Sequence, residues 1–180
     1  MISADLTRNF FALFDLPESF QIDTAALAEK YRALQQAVHP DRFASGTDQE
    51  RRLSMQQSTL INEAYRTLKQ PLARARYLLS LHGMDLSAEQ AKPMDGAFLM
   101  QQMELRETLE DITSAVDPVN ELLAFDARLT QLTQSLISDI DQLFSGEAQQ
   151  NLDKISDYVR RLQFMSKLGE EVRMLEEQLQ

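Results

Sequence analysis

The chain has no cysteine, only two histidines, and just five glycines and five prolines in 180 residues. Without cysteine, this chain supplies no disulfide framework, thiolate zinc site, cysteine nucleophile or cluster ligand. Two histidines leave little for a metal centre, so neither a metal nor a cofactor is expected. Glycine and proline together reach about half of their usual share of roughly 12%. Few turn-formers mean few turns, which favours long helices over a many-stranded sandwich. No apolar run approaches the roughly 20 residues that span a bilayer. The opening MISADLTRNFFALFDLP puts Asp5 and Arg8 where a signal peptide would be basic and then apolar. A soluble, cytoplasmic protein is expected, with one ordinary domain or two small ones.

What is present is mostly negative charge, unevenly placed. The formal net charge is −10, yet residues 1–80 sum to +1 and residues 81–180 to −11. Halves this different suggest two domains with two kinds of partner. No basic footprint of the kind that phosphate binding needs is present, which disfavours nucleic acid.

Asp23 can cap a helix whose apolar positions Leu27, Tyr31, Leu34 and Val38 recur at helical spacing. His39 precedes Pro40, and proline disfavours the α conformation in the residue before it, so the helix stops there. After a loop through Ala44, Ser45 and Gly46, Asp48 can cap a second helix with Leu53, Leu60, Ile61, Ala64 and Leu68 on one face. Pro71 suits the first turn of a third, ending near Gly83 with His82 at its C-terminus. Two amphipathic helices joined by a short loop pack as an antiparallel hairpin, and the Phe10, Phe11, Leu13, Phe14 cluster can cover it. Residues 1–82 read as one small all-α unit and 83–94 as a linker. Residues 95–180 read as a three-helix bundle: Asp95 to about Val116, then a heptad-like run from Leu122 to Leu143, then a helix from about Glu147 toward Leu179.

His39-Pro40-Asp41 is the first functional candidate. Composition alone reads it as a helix terminus. A base–orienter pair, His39 with Asp41, would need a nucleophile or an anion loop nearby, and none is present. Its placement between antiparallel helices, beside Lys30, Arg32 and Arg42, makes it a docking site for an acidic protein surface. Lys30 and Arg32 flank the core-facing Tyr31 and should point outward.

With these features the chain resembles a J-domain, the module that stimulates ATP hydrolysis by DnaK-type chaperones. His39-Pro40-Asp41 sits between the second and third helices as in that family, and Tyr31 with Arg32 falls where its chaperone-facing basic helix does. The segment INEAYRTLKQPLARARYLL and the acidic helical tail extend the resemblance to HscB, the J-protein type of iron–sulfur cluster assembly. The resemblance implies an HscA-type chaperone partner and an IscU-like scaffold as client. The N-terminal cysteine zinc site of some members has no counterpart here.

Helical geometry tests the tail. With about 100° per residue, Leu105, Leu109, Ile112 and Val116 fall within about 40° of Phe98 and form the buried stripe. Leu99, Met100 and Met103 fall off that face, interleaved with Glu104, Glu107 and Asp111. Apolar groups clustered with acids suit a protein-binding patch; packing on another helix or on the N-terminal unit explains the pattern equally well. Phe164 lies opposite the Ile155, Val159, Leu162 stripe of its helix. In HscB-like proteins the scaffold-binding face resembles the set Leu99, Met100, Met103, Glu104, Glu107, Asp111 and Phe164, with Met103 where leucine and Asp111 where glutamate is expected.

The expectation is therefore an all-α, non-enzymatic, monomeric co-chaperone with no membrane partner. It would bind the chaperone through Lys30, Tyr31, Arg32, His39, Pro40, Asp41 and Arg42, and the scaffold through the bundle. A J-domain protein with another client, or a helical adaptor whose tripeptide is only a helix stop, are the alternatives.

Overall fold

The computed structural model describes residues 9–43, 46–90 and 92–179, excluding the side chains of Pro40 and Gln90; the expected loop positions Ala44 and Ser45 lie outside them. Every regular element among the described residues is helical, and the chain divides into two compact units, Met1–Leu78 and Leu79–Gln180.

In the first unit, α1 (Phe10–Leu13) and α2 (Thr24–Val38) precede a 3-10 turn at Pro40–Phe43 and α3 (Asp48–Lys69). Asp23 caps α2 as expected, its carboxylate accepting from the Ala25 and Ala26 N–H groups at 2.9 and 3.0 Å. The cap of α3 is Thr47, not Asp48: Thr47 and Glu50 form a reciprocal capping box, and Asp48 is the first helical residue. Leu53 is 45% exposed and Leu60 only half-buried, so the expected α3 face is also corrected. The buried face is Ser54, Gln57, Ile61, Ala64 and Leu68, a stripe that begins on polar residues because it abuts the end of α2. A polar seam joins α2 to α3: the Tyr31 hydroxyl donates to Asn62 Oδ1 at 2.9 Å, the Gln35 amide donates to the same atom at 2.8 Å, and Tyr31 stacks on Tyr65 at 4.0 Å. Phe11, Phe14 and Phe20 close the unit beneath these helices.

Helix α4 (Pro71–Leu81) begins on proline and ends at Gly83, whose φ of +81° is the left-handed cap that glycine adopts without strain. His82, between Leu81 and Gly83, stacks on Phe144, ring centroids 6.4 Å apart. The segment expected as linker is not plain connecting chain, because Leu86–Gln90 form α5, capped by the Asp85 carboxylate. Arg160 fixes α5 by donating to the Glu89 and Lys92 carbonyls at 3.3 and 2.7 Å, and Lys92 pairs with Glu89 and Asp153.

The three long helices are α6 (Gly96–Ile112), α7 (Pro118–Ser145) and α8 (Ala148–Leu179). Short connections make them run up, down and up. Phe98, Leu105, Leu109 and Ile112 of α6 enter a shared core with Leu122, Phe125 and Leu129 of α7 and Met165, Leu168 and Val172 of α8. Val116, expected in that stripe, is fully exposed, since α6 ends at Ile112 and a turn follows. Along α8 the buried stripe changes sides. Ile155, Val159 and Leu162 define it first, whereas Phe164, Leu168 and Val172 occupy the opposite half of the helix and face the α6–α7 core.

Candidate partner-binding surfaces

The first surface lies at the turn between α2 and α3. His39 ends α2 with φ −58° and ψ 131°, the extended conformation that a following proline imposes. Its Nδ1 accepts from the Asp41 N–H at 3.3 Å and lies 3.6 Å from the Asp41 carboxylate. Both side chains face solvent, 54% and 91% exposed, leaving no dry pocket around them for acid–base chemistry. The turn is anchored from below by a residue that the apolar pattern missed. The buried Ser54 hydroxyl donates to the Val38 carbonyl at 2.6 Å and satisfies an orphan acceptor at the end of α2.

The basic groups around this turn differ in freedom. Lys30 reaches back to the α1–α2 loop, where its Nζ donates to the Asp15 carbonyl at 2.6 Å and pairs with its carboxylate at 3.3 Å. Asp15 itself has φ +49°, a left-handed conformation that Asp tolerates better than most residues. Arg42 folds back to donate to the Gln36 carbonyl at 3.3 Å. Arg32 is exposed, while Tyr31 between it and Lys30 turns into the hairpin. The outward basic groups thus sit on the solvent side of α2, and His39 and Asp41 at its end.

The second surface is the solvent face of α6. Leu99, Met100 and Met103 are 45%, 65% and 71% exposed, three large apolar side chains wet on one face of one helix. Glu104, Glu107 and Asp111 continue the same face and are all exposed. Phe164 does not join them at the surface, which corrects the expected placement. It is 9% exposed within the bundle core, edge-on to Phe98 at 5.8 Å. The reason is the change of side along α8: extrapolating the Ile155–Leu162 stripe puts Phe164 outside, but the core has moved to its side. A residue that sequence reasoning overlooked caps it. The Arg106 guanidinium lies 5.6 Å over the Phe164 ring and pairs with Glu171 at 3.5 Å. Arg106 is the only cation of α6 among four carboxylates, which is the signal that could have found it.

Two carboxylates outside these faces are held below their ordinary range, Glu50 by the Thr47 backbone and hydroxyl and Asp117 by Asn120. No three His, Cys, Asp or Glu side chains among the described residues are grouped to hold a metal ion. No described helix is long and apolar enough to cross a membrane.

Residues 94–173 match the family model described as the HSCB C-terminal oligomerisation domain. A co-chaperone protein HscB homolog of Shewanella sp. (strain MR-4) is 47% identical over 175 residues, covering 95% of this chain and 98% of that protein. A second from Vibrio cholerae serotype O1 is 44% identical over 171 residues with the same coverages. Among solved structures, chaperone HscB from Vibrio cholerae superposes with a TM-score of 0.86 at 41% identity, covering 96% of this chain and all of that one. Human co-chaperone protein HscB gives the same TM-score at 30% identity, covering 96% and 84%.

Proposed function

The chain belongs to the HscB family of co-chaperones, and from that premise we propose that it binds an IscU-like iron–sulfur scaffold and delivers it to a DnaK/HscA-type chaperone, whose ATPase it stimulates. The J-domain is assigned to residues 1–82 and the scaffold-binding bundle to 95–180, with α5 in the segment between. ATP and the cluster reside on the partners; this chain contributes surfaces and no bond-making step.

The reading is supported above all by the α6 face. Three large apolar side chains, 45–71% exposed on an acidic helix, gain by burial against a partner what they do not gain in the chain's own core. Leu99, Met100 and Met103 supply apolar contact, and methionine adapts its shape. Glu104, Glu107 and Asp111 select a basic counterpart. Phe164 acts from beneath, holding Phe98 and Arg106 in place.

The chaperone is engaged through Lys30, Tyr31, Arg32, His39, Pro40, Asp41 and Arg42. Arg32 offers its charge to an acidic surface directly. Arg42 keeps its charge near the turn while bonded to the Gln36 carbonyl, whereas Lys30 is held toward the α1–α2 loop by Asp15. Tyr31 holds α2 on α3. His39 and Asp41 bind the hydrolysis-competent conformation of the chaperone in preference to the other and so raise its population. Carrying both partners on one chain raises their effective concentration for each other.

Two measurements test the reading. Titration calorimetry of an IscU-like scaffold into the full chain should show saturable binding that Leu99→Ala weakens. Single-turnover ATP hydrolysis by a DnaK/HscA-type chaperone should accelerate with the wild type and not with His39→Gln, whose exposed side chain can change without disturbing the fold. A folded His39→Gln protein that stimulates normally removes the turn from the mechanism, and a scaffold that does not bind removes the client.

A further inference from the structure

Antiparallel α7 and α8 leave an open groove of about 120 Å³ between the start of one and the end of the other, and no residue of α6 lines it. Its floor is Leu122 and Val172, both nearly buried, while Val119 and Leu123 stand 50% and 58% exposed along its wall and Leu179 closes the end. Apolar side chains left wet along a groove gain by burial against a partner. Two exposed carboxylates, Asp126 and Glu176, also line the groove, and neither is paired with a cation among the described residues.

From this juxtaposition we infer that the groove is a second docking site, taking a short protein segment with one or two aliphatic side chains flanked by lysine or arginine. The apolar side chain fills the space over Leu122 and Val172, and the flanking cation meets Asp126 and Glu176. Most of the groove lies within the region matched by a family model described as an oligomerisation domain, so a second copy of the chain is the competing occupant. Groove-to-groove docking would bring both carboxylates of one copy against those of the other, on chains that each carry a net charge of −10. The volume also suits a side chain or two, not the broad apolar face of a stable dimer. The site is separate from the exposed face of α6, so it stands whether or not that face binds a scaffold.

The test uses the full chain and a fluorescein-labelled amphipathic dodecapeptide of leucine, alanine and lysine, its leucines four apart, with a glutamate-for-lysine version as control. Fluorescence anisotropy should show binding of the lysine peptide only. Leu123→Asp should weaken it about tenfold or more. Asp126→Asn with Glu176→Gln should weaken it several-fold and flatten its salt dependence. Amide shift changes in NMR spectra should centre on Val119, Leu123 and Val172. Circular dichroism checks that the variants keep their helix content. Binding that survives all three substitutions, equal binding of the acidic peptide, shifts confined to α6, or no binding at all each overturn the inference. So does sedimentation showing a dimer that Leu123→Asp dissolves, because a copy of the chain then occupies the groove.

Discussion

Phe164→Ala separates a supporting residue from a contacting one. The ring is 9% exposed, edge-on to Phe98 at 5.8 Å, and covered by the Arg106 guanidinium at 5.6 Å. Truncating a buried phenylalanine costs about 3–5 kcal/mol in transfer and cavity terms. The edge-to-face pair accounts for about 0.5–1.5 kcal/mol beyond area burial, and the half-exposed cation–π contact for about 0.5–1 kcal/mol. The urea transition of the bundle should therefore move by most of that range, with Phe164→Leu recovering the volume but not the aromatic contacts. Leu99→Ala, at 45% exposure, should shift the transition by no more than about 0.5 kcal/mol. Yet it should lose about 2 kcal/mol or more of scaffold binding, the scale of an interface hot spot. Urea melts followed by circular dichroism, paired with calorimetry on the same samples, read both quantities. A Phe164→Ala protein as stable as wild type but unable to bind would show that the ring works at the surface, and the packing argument would fail.

Other perturbations probe single contacts. Ser54→Ala leaves the Val38 carbonyl without its 2.6 Å partner, and urea titration should register a loss of about 1–3 kcal/mol, with faster amide exchange at Asp41 and Arg42. Glu50 is held below its ordinary value of 4.5 by hydrogen bonds from Thr47, so its contribution is full above that value and is lost as pH falls through the depressed one. Glu50→Gln keeps the capping geometry and should remove that part of the acid dependence of the thermal midpoint. Arg160→Met deletes the donors to the Glu89 and Lys92 carbonyls, and hydrogen exchange should show α5 opening while the α6–α7 core keeps its protection.

Much of the architecture is readable where one force dominates. Asp23 as a cap, the stop at His39-Pro40 and the Leu122–Ile140 stripe each follow from a local rule with no competitor. The readings that needed correction had two forces to weigh. Thr47 and Glu50 spell a capping box, but Asp48 is also a good cap and stands next to it. Ser54 and Gln57 are buried because a helix end needs donors, which an apolar pattern cannot register. Val116 keeps the helical phase after the helix has ended. Phe164 was misplaced by extending a stripe past the point where α8 changes the face it buries. The exposed face of α6 was legible because its apolar residues break phase with Phe98, Leu105 and Leu109, whereas the groove beside Leu123 joins residues some fifty positions apart and leaves no local trace.

The swap of buried sides along α8 makes that helix an axle with two cams set half a turn apart. One residue inserted between Leu162 and Phe164 would rotate everything beyond it by about 100°, swinging Leu168 and Val172 off their bearing while leaving Ile155 seated. Drift in length should therefore be accommodated in the turns around Thr113 and Gly146 and be barred from the shaft. A register error there would disable the far end of the bundle before it touched the near one.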